Sequence, residues 1–137
     1  MMADEIVARS LRGTMPVRFR YTPGAAGLRF FETLRAKGLL AATRCPTDGI
    51  TYLPPRLYCE ECFADLSGTW LELPARGHVH AFTVVHVDRQ GRALARPEIA
   101  AFVRIAGTDG GLVTRLLNVE PAAVRTGLEV EAVLRPV

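Results

Sequence analysis

Cys45-Pro46-Thr47-Asp48-Gly49 and, with ten residues between it and Asp48, Cys59-Glu60-Glu61-Cys62 decide the architecture of this chain. A zinc ribbon needs two tight knuckles, each offering two thiolates separated by two residues, so that four ligands close a tetrahedron. The second knuckle is intact. The first carries Asp48 where its second thiolate belongs, with Pro46 and Gly49 at the positions a knuckle turn favours. A carboxylate oxygen is also a zinc ligand, so the spacing predicts a rubredoxin-like ribbon whose metal site is Cys45, Asp48, Cys59 and Cys62. The competing reading is the same ribbon without metal, held by packing alone.

The rest of the composition fits such a staple. A chain of 137 residues suits one compact domain or two small modules sharing an interface. A ribbon of about thirty residues buries too little apolar surface to stand alone and needs a metal, a partner or a larger neighbour. All three cysteines fall in this stretch, and an odd count argues against a secreted disulfide framework and for a reducing cytoplasm. A Cys59–Cys62 redox pair is the alternative, but the βαβ setting of a thioredoxin-like site is missing. No apolar run reaches the length of a membrane span, and residues 1–20 lack the apolar core of a signal peptide. The net charge of +3 understates a local bias, because Arg9, Arg12, Arg18, Arg20, Arg29, Arg35, Lys37 and Arg44 are opposed between Ile6 and Arg44 only by Glu32. Such a segment can meet phosphates of a nucleic acid or of coenzyme A, or dock on an acidic partner. Its plainest reading is a solvated, partly disordered terminus.

Four segments are expected. Residues 1–21 form a basic extended arm. Residues 22–40 hold an N-terminal helix, with Thr22 as a candidate cap, Pro23 at the first helical position, and Leu28, Phe31 and Leu34 recurring along one side. Phe30 widens that stripe, Gly38 stops the helix, and Arg35 and Lys37 sit where its dipole favours cations. Phe30 and Phe31 together point to burial on the chain's own domain or on another subunit. Residues 41–67 form the ribbon module, with Pro54-Pro55-Arg56 as a rigid turn between the knuckles. Residues 68–137 carry five strand candidates: Thr69–Leu73, Gly77–Asp88, Ile99–Ala106, Leu112–Asn118 and Leu128–Leu134. A polar loop is expected from Arg89 to Glu98, a hairpin turn at Gly107–Gly111, and one helical turn at Pro121–Arg125. The fold class is therefore mainly β: a helix, a ribbon, then a five-stranded OB-fold barrel.

The order of these parts resembles one family, the acyl-CoA-associated zinc-ribbon and OB-fold proteins (domain of unknown function thirty-five). The residues that carry the resemblance are Arg29-Phe30-Phe31-Glu32-x-Leu34, Arg44-Cys45-Pro46, Pro54-Pro55-Arg56-x-x-Cys59-x-x-Cys62 and Trp70. Gly77-x-Val79-x-x-Phe82-Thr83-Val84-Val85-His86 and Gly127-x-x-Val130 continue it. Asp48 departs from the pattern, which has cysteine there. The resemblance implies a non-catalytic subunit that binds a thiolase-superfamily acyltransferase, thiolase or aldolase acting on acyl-CoA. In that role it helps hold the complex together and lines the coenzyme A path. Arg29, Arg35 and Arg56 are the candidate contacts to coenzyme A or to the partner.

Two other functions fit parts of the sequence. For an enzyme in its own right, strict alternation would put His78, His80, Phe82, Val84, His86 and Asp88 on one face of a strand. His78 and His80 would then be metal ligands, or His86 and Asp88 an acid–base pair, but no third ligand or nucleophile beside a base is evident. Hence no catalytic residue is assigned. A single-stranded nucleic-acid-binding OB-fold is the second alternative; the arginines suit it, while Tyr52, Trp70, Phe82 and Phe102 are few and mostly needed for a core.

Overall fold

The computed structural model describes residue 13 and residues 18–134. Most of the expected basic arm, Arg9 and Arg12 included, lies outside the described residues. The described chain runs α1 (Gly24–Lys37), β1 (Leu39–Arg44), β2 (Thr51–Tyr52), β3 (Trp70–Pro74), β4 (Arg76–Val87), β5 (Ala93–Ile105), β6 (Gly111–Leu116), a 3-10 turn (Pro121–Ala123) and β7 (Glu129–Glu131).

α1 forms where the sequence places a helix, but the expected stripe is corrected: Leu28 and Phe31 are exposed, and the helix packs instead through Phe30, Thr33 and half-buried Leu34. Thr22 does not cap it. Pro23 occupies the N-cap position and no side chain satisfies the first turn, so this expectation is corrected. At the other end Gly38 takes the left-handed conformation (φ 69°) and donates its N–H to the Leu34 carbonyl, as a glycine stop should. Arg29 stacks over Trp70 at 4.2 Å, and Lys37 pairs with Glu72 at 2.7 Å, tying the helix to β3.

Two antiparallel sheets follow. In the first, of order β2-β1-β3, buried Leu40, Ala41, Ala42 and Thr43 form the central strand. In the second, of order β6-β5-β4-β7, the long strands curl into a half-barrel. The five expected C-terminal strands are all present, and hydrogen bonding divides them: β3 turns at Pro74 and joins the ribbon's sheet, while the other four make the curled one. The main core lies between α1, β1 and the curled sheet, around Phe30, Leu40, Leu53, Val79, Val103 and Ile105.

The Gly107–Gly111 hairpin turn does more than join β5 to β6. Asp109 exchanges two bonds with Thr51 (Thr51 N to Asp109 Oδ2 2.8 Å, Asp109 N to Thr51 O 3.0 Å), and the Gly111 N–H donates to Leu53 O at 3.2 Å. A Cβ on Gly110 would overlap the Leu53 carbonyl, so only glycine lets the turn seat on β2.

The expected polar loop Arg89–Glu98 is mostly strand. Asp88 organises a tight turn, its Oδ1 accepting from the N–H groups of Gln90 (2.8 Å) and Arg92 (2.9 Å), and β5 begins at Ala93. These residues are polar because this end of the ribbon of two strands is mostly exposed, not because it is irregular. At the C-terminal end the expected strand Leu128–Leu134 shortens to Glu129–Glu131.

Candidate metal centre

Each knuckle is built by backbone bonds that aim its ligands inward. In the first, the Cys45 N–H donates to Ile50 O (2.8 Å) and the Gly49 N–H returns to Cys45 O (3.0 Å), with Gly49 at φ 78°. In the second, the Cys59 N–H donates to Ala64 O (3.0 Å), and Phe63 takes the left-handed conformation at φ 59°. The result places one donor atom each from Cys45, Asp48, Cys59 and Cys62 within 4.8 Å of one another, the set expected from the sequence. Among the described residues this is the one such His, Cys, Asp or Glu group.

Cys45 Sγ and Cys62 Sγ are 3.5 Å apart, close to the roughly 3.8 Å edge of a tetrahedron with Zn–S bonds near 2.3 Å. The Cys59 thiol donates to Asp48 Oδ2 at 2.9 Å, while Asp48 Oδ1 accepts from the Ile50 N–H at 3.2 Å. That second bond fixes the carboxylate so that one oxygen faces the thiols. Cys45 and Cys59 are buried; Asp48 and Cys62 are exposed, so the centre opens to solvent on one side.

Electrostatics divide the ligands. Burial pushes the Cys45 thiol up to about 11. Burial and the Asp48 hydrogen bond raise Cys59 too, but N–H groups of Cys62 and Glu61 and the Tyr52 hydroxyl outweigh them, and its pKa falls below the usual thiol value. Hydrogen bonds from Cys59 and Cys45 hold Asp48 below the usual carboxylate range. Tyr52 was not anticipated as part of the site. Its buried hydroxyl lies 3.3 Å from Cys59 Sγ and accepts from the Glu60 N–H at 3.2 Å, and the Cys59 contact leads in raising its own pKa to about 12. No spacing rule gave it away; only the pairing of β2 with β1 brings it under the second knuckle. The donor set fits a divalent cation that accepts thiolate and carboxylate together, as zinc does.

The three candidate arginines do not converge. Arg29 lies on Trp70, Arg35 is exposed in the last turn of α1, and Arg56 stacks 5.5 Å above Tyr52 while pairing with Glu60. The histidine alignment is corrected. Bulges between Val79 and Ala81 and between Val85 and Val87 each interrupt the alternation. His78 sits opposite Arg104 on the outer face, whereas Phe82 and Val84 sit opposite Ala101 and Ile99 on the inner one. All three histidines are exposed, and none shares a ligand group with another.

Residues 70–135 match the family described as ChsH2, C-terminal OB-fold domain. A solved DUF35 protein of Sulfolobus solfataricus superposes with a TM-score of 0.60 and 30% identity, over 71% of this chain and 72% of that one. The chain belongs to the DUF35 family. A DUF35 domain-containing scaffold protein of Methanocaldococcus jannaschii is 27% identical over 109 residues, 79% of this chain and 76% of that protein. Its counterpart in Methanothermobacter thermautotrophicus is 26% identical over 99 residues, 72% and 73% of the two chains. The Ltp2–ChsH2 (DUF35) aldolase shares the fold, with a TM-score of 0.60 at 24% identity over 82% of this chain and 85% of that one. No helix among the described residues is long and apolar enough to cross a membrane.

Proposed function

We propose that this DUF35 protein is a non-catalytic accessory subunit that binds a thiolase-like enzyme acting on acyl-CoA and stabilises the complex. The observation that carries this reading is the likeness, over most of the chain, to proteins described as scaffolds. The shared fold with the DUF35 component of an aldolase supports the kind of partner. In this reading zinc on Cys45, Asp48, Cys59 and Cys62 is structural: it would lock the two knuckles, with Tyr52 steadying Cys59 from behind. The protein works in the cytoplasm, where its thiols stay reduced.

The partner-facing surface is the outer side of α1. Phe30 is 8% exposed and belongs to the core, but Phe31 meets it edge-on at 5.4 Å and is 59% exposed. Leu28 accompanies Phe31 at the surface, and Arg35 supplies a charge for a carboxylate or a coenzyme A phosphate. Arg29 and Arg56 already have aromatic partners, so in this role they would act through the free edges of their guanidinium groups. Pull-down with the cognate thiolase-like protein tests the surface. Phe31→Ser is expected to weaken capture at least tenfold while circular dichroism and melting temperature hold. Unchanged capture would place the interface elsewhere.

A further inference from the structure

Among the described residues, the curled sheet is open between its two edge strands. β6 and β7 are its two edges, and no backbone hydrogen bond among the described residues joins them. Between them lies a cavity of about 960 Å³, whose lining includes Leu112, Leu116, Leu128 and Val130 together with Phe30 and Leu34 of α1. Its size is that of a ligand site, but its walls carry two rows of free backbone groups, which another strand satisfies better than a small molecule does.

A segment with the sequence pattern of a strand lies in the same chain. From Val17 to Tyr21 the sequence alternates Val-Arg-Phe-Arg-Tyr, a period-two pattern with its apolar side chains on one face. Phe19 and Tyr21 stack on each other at 5.9 Å, yet they are 66% and 84% exposed and do not line the cavity. The chain's own Phe19 and Tyr21 therefore stand outside its own groove.

We infer that the groove between β6 and β7 receives residues 17–21 of a second copy, so that two chains exchange arms reciprocally. Charge selects this occupant. With Val17, Phe19 and Tyr21 turned inward, Arg18 and Arg20 face outward two residues apart. On β7, Glu129 and Glu131 face outward at the same spacing, exposed on either side of half-buried Val130. Arg76 and His78 of β4 lie opposite these glutamates on the far side, and neither glutamate is in an ion pair among the described residues. On the β6 side the outward residues are Val113, 80% exposed, and Arg115, already paired with Glu98 at 3.2 Å. The arm's arginines thus belong beside β7 and its aromatics over the cavity. A reciprocal exchange of this kind closes on a two-fold axis and ends at a dimer.

Light scattering on the purified full chain, with no partner present, tests this independently of any enzyme complex. The expected mass is twice the 15.0 kDa of one chain. Phe19→Ser with Tyr21→Ser is expected to give a monomer with an unchanged circular dichroism spectrum. Glu129→Arg with Glu131→Arg should weaken the dimer at least tenfold, Arg18→Glu with Arg20→Glu should do the same, and all four changes in one chain should restore it. A monomeric wild type at sub-millimolar concentration would overturn the inference. So would a dimer insensitive to the arm variants, or one that the fourfold charge reversal fails to rescue.

Discussion

Cys45, Tyr52, Cys59 and Leu66 form a buried cluster of four around polar ligand atoms, whereas nine buried residues from α1 to β5 form an apolar cluster beside it. The ribbon's buried cluster is small, so a cation held by its donor atoms would supply a large share of its stability. The curled sheet spreads its stability over many contacts and can leave one edge open. One region is sensitive to chemistry at a point and the other to volume. The two are joined at a seam where Asp109 and Gly111 meet Thr51 and Leu53.

The largest effect is expected at the donor atoms. Cys59→Ser removes a buried ligand that also anchors Asp48 and Tyr52. Apparent binding of structural zinc in small fingers reaches about 10–16 kcal/mol, so this change should exceed any single core truncation. Elemental analysis is expected to fall from near one zinc per chain to well below it, with hydrogen exchange rising across residues 45–66 and little change in β4 and β5. A wild type that ignores a strong chelator would show that packing alone holds the ribbon.

Core volume gives the next effect and separates the regions. Leu66 and Leu40 are 0% and 3% exposed, and truncating either to alanine should cost about 2–5 kcal/mol. Leu40→Ala is expected to lower the midpoint of the whole chain in denaturant. Leu66→Ala should lower the ribbon's protection first, and its effect should shrink once a chelator has already loosened the knuckles. Equal, global effects of both would mean that the ribbon and sheet unfold as one unit.

The site was far more legible in the sequence than the strand pairing. Cys45, Asp48, Cys59 and Cys62 are readable because ligand spacing within a knuckle is local, set by turns of a few residues. α1 was readable for the same reason, through Leu34, Phe30 and the Gly38 stop. The histidine alignment failed because a bulge adds one residue to β4 and reverses every side chain after it, a feature set by pairing with β5 and not by β4 itself. The partition of β3 into the ribbon's sheet and the placement of Tyr52 under Cys59 likewise depend on β1, distant in sequence. Arg29 read as a candidate contact to coenzyme A or the partner, and only the docking of α1 on β3 shows it stacked on Trp70.

The seam offers a smaller effect. Gly110→Ala drives a methyl group into the Leu53 carbonyl and should destabilise by about 1–3 kcal/mol as the turn lifts from β2. Ribbon amides at Thr51 and Leu53 are expected to exchange faster while Leu66 keeps its protection. If exchange rises evenly through both regions, the seam is part of one core and the contrast between the regions weakens.

The smallest expected effect lies in the curled sheet, at Asp88, where charge and not volume matters. Hydrogen bonds from the Arg92 backbone and side chain outweigh the cost of burial and, with smaller help from Gln90 and Gly91, hold the Asp88 carboxyl below its usual value of 3.8. A carboxylate depressed in the folded chain contributes stability above its unfolded pKa, and that contribution is lost as pH falls through the folded value. Asp88→Ala should therefore melt below the wild type at neutral pH, with the gap closing under acid as the wild-type carboxylate protonates. Asp88→Asn separates the parts, because an amide oxygen still accepts from the N–H groups of Gln90 and Arg92 but cannot pair with the Arg92 guanidinium. It should keep much of the neutral-pH stability and lose this acid dependence. The same pH series run on the metal-loaded ribbon supplies the contrast: acid there protonates thiolates that bind the cation, so ribbon protection should collapse in one step tied to metal release, while the β4–β5 turn softens gradually. A gap between wild type and Asp88→Ala that persisted at the lowest pH would show that turn geometry, not charge, is what Asp88 provides.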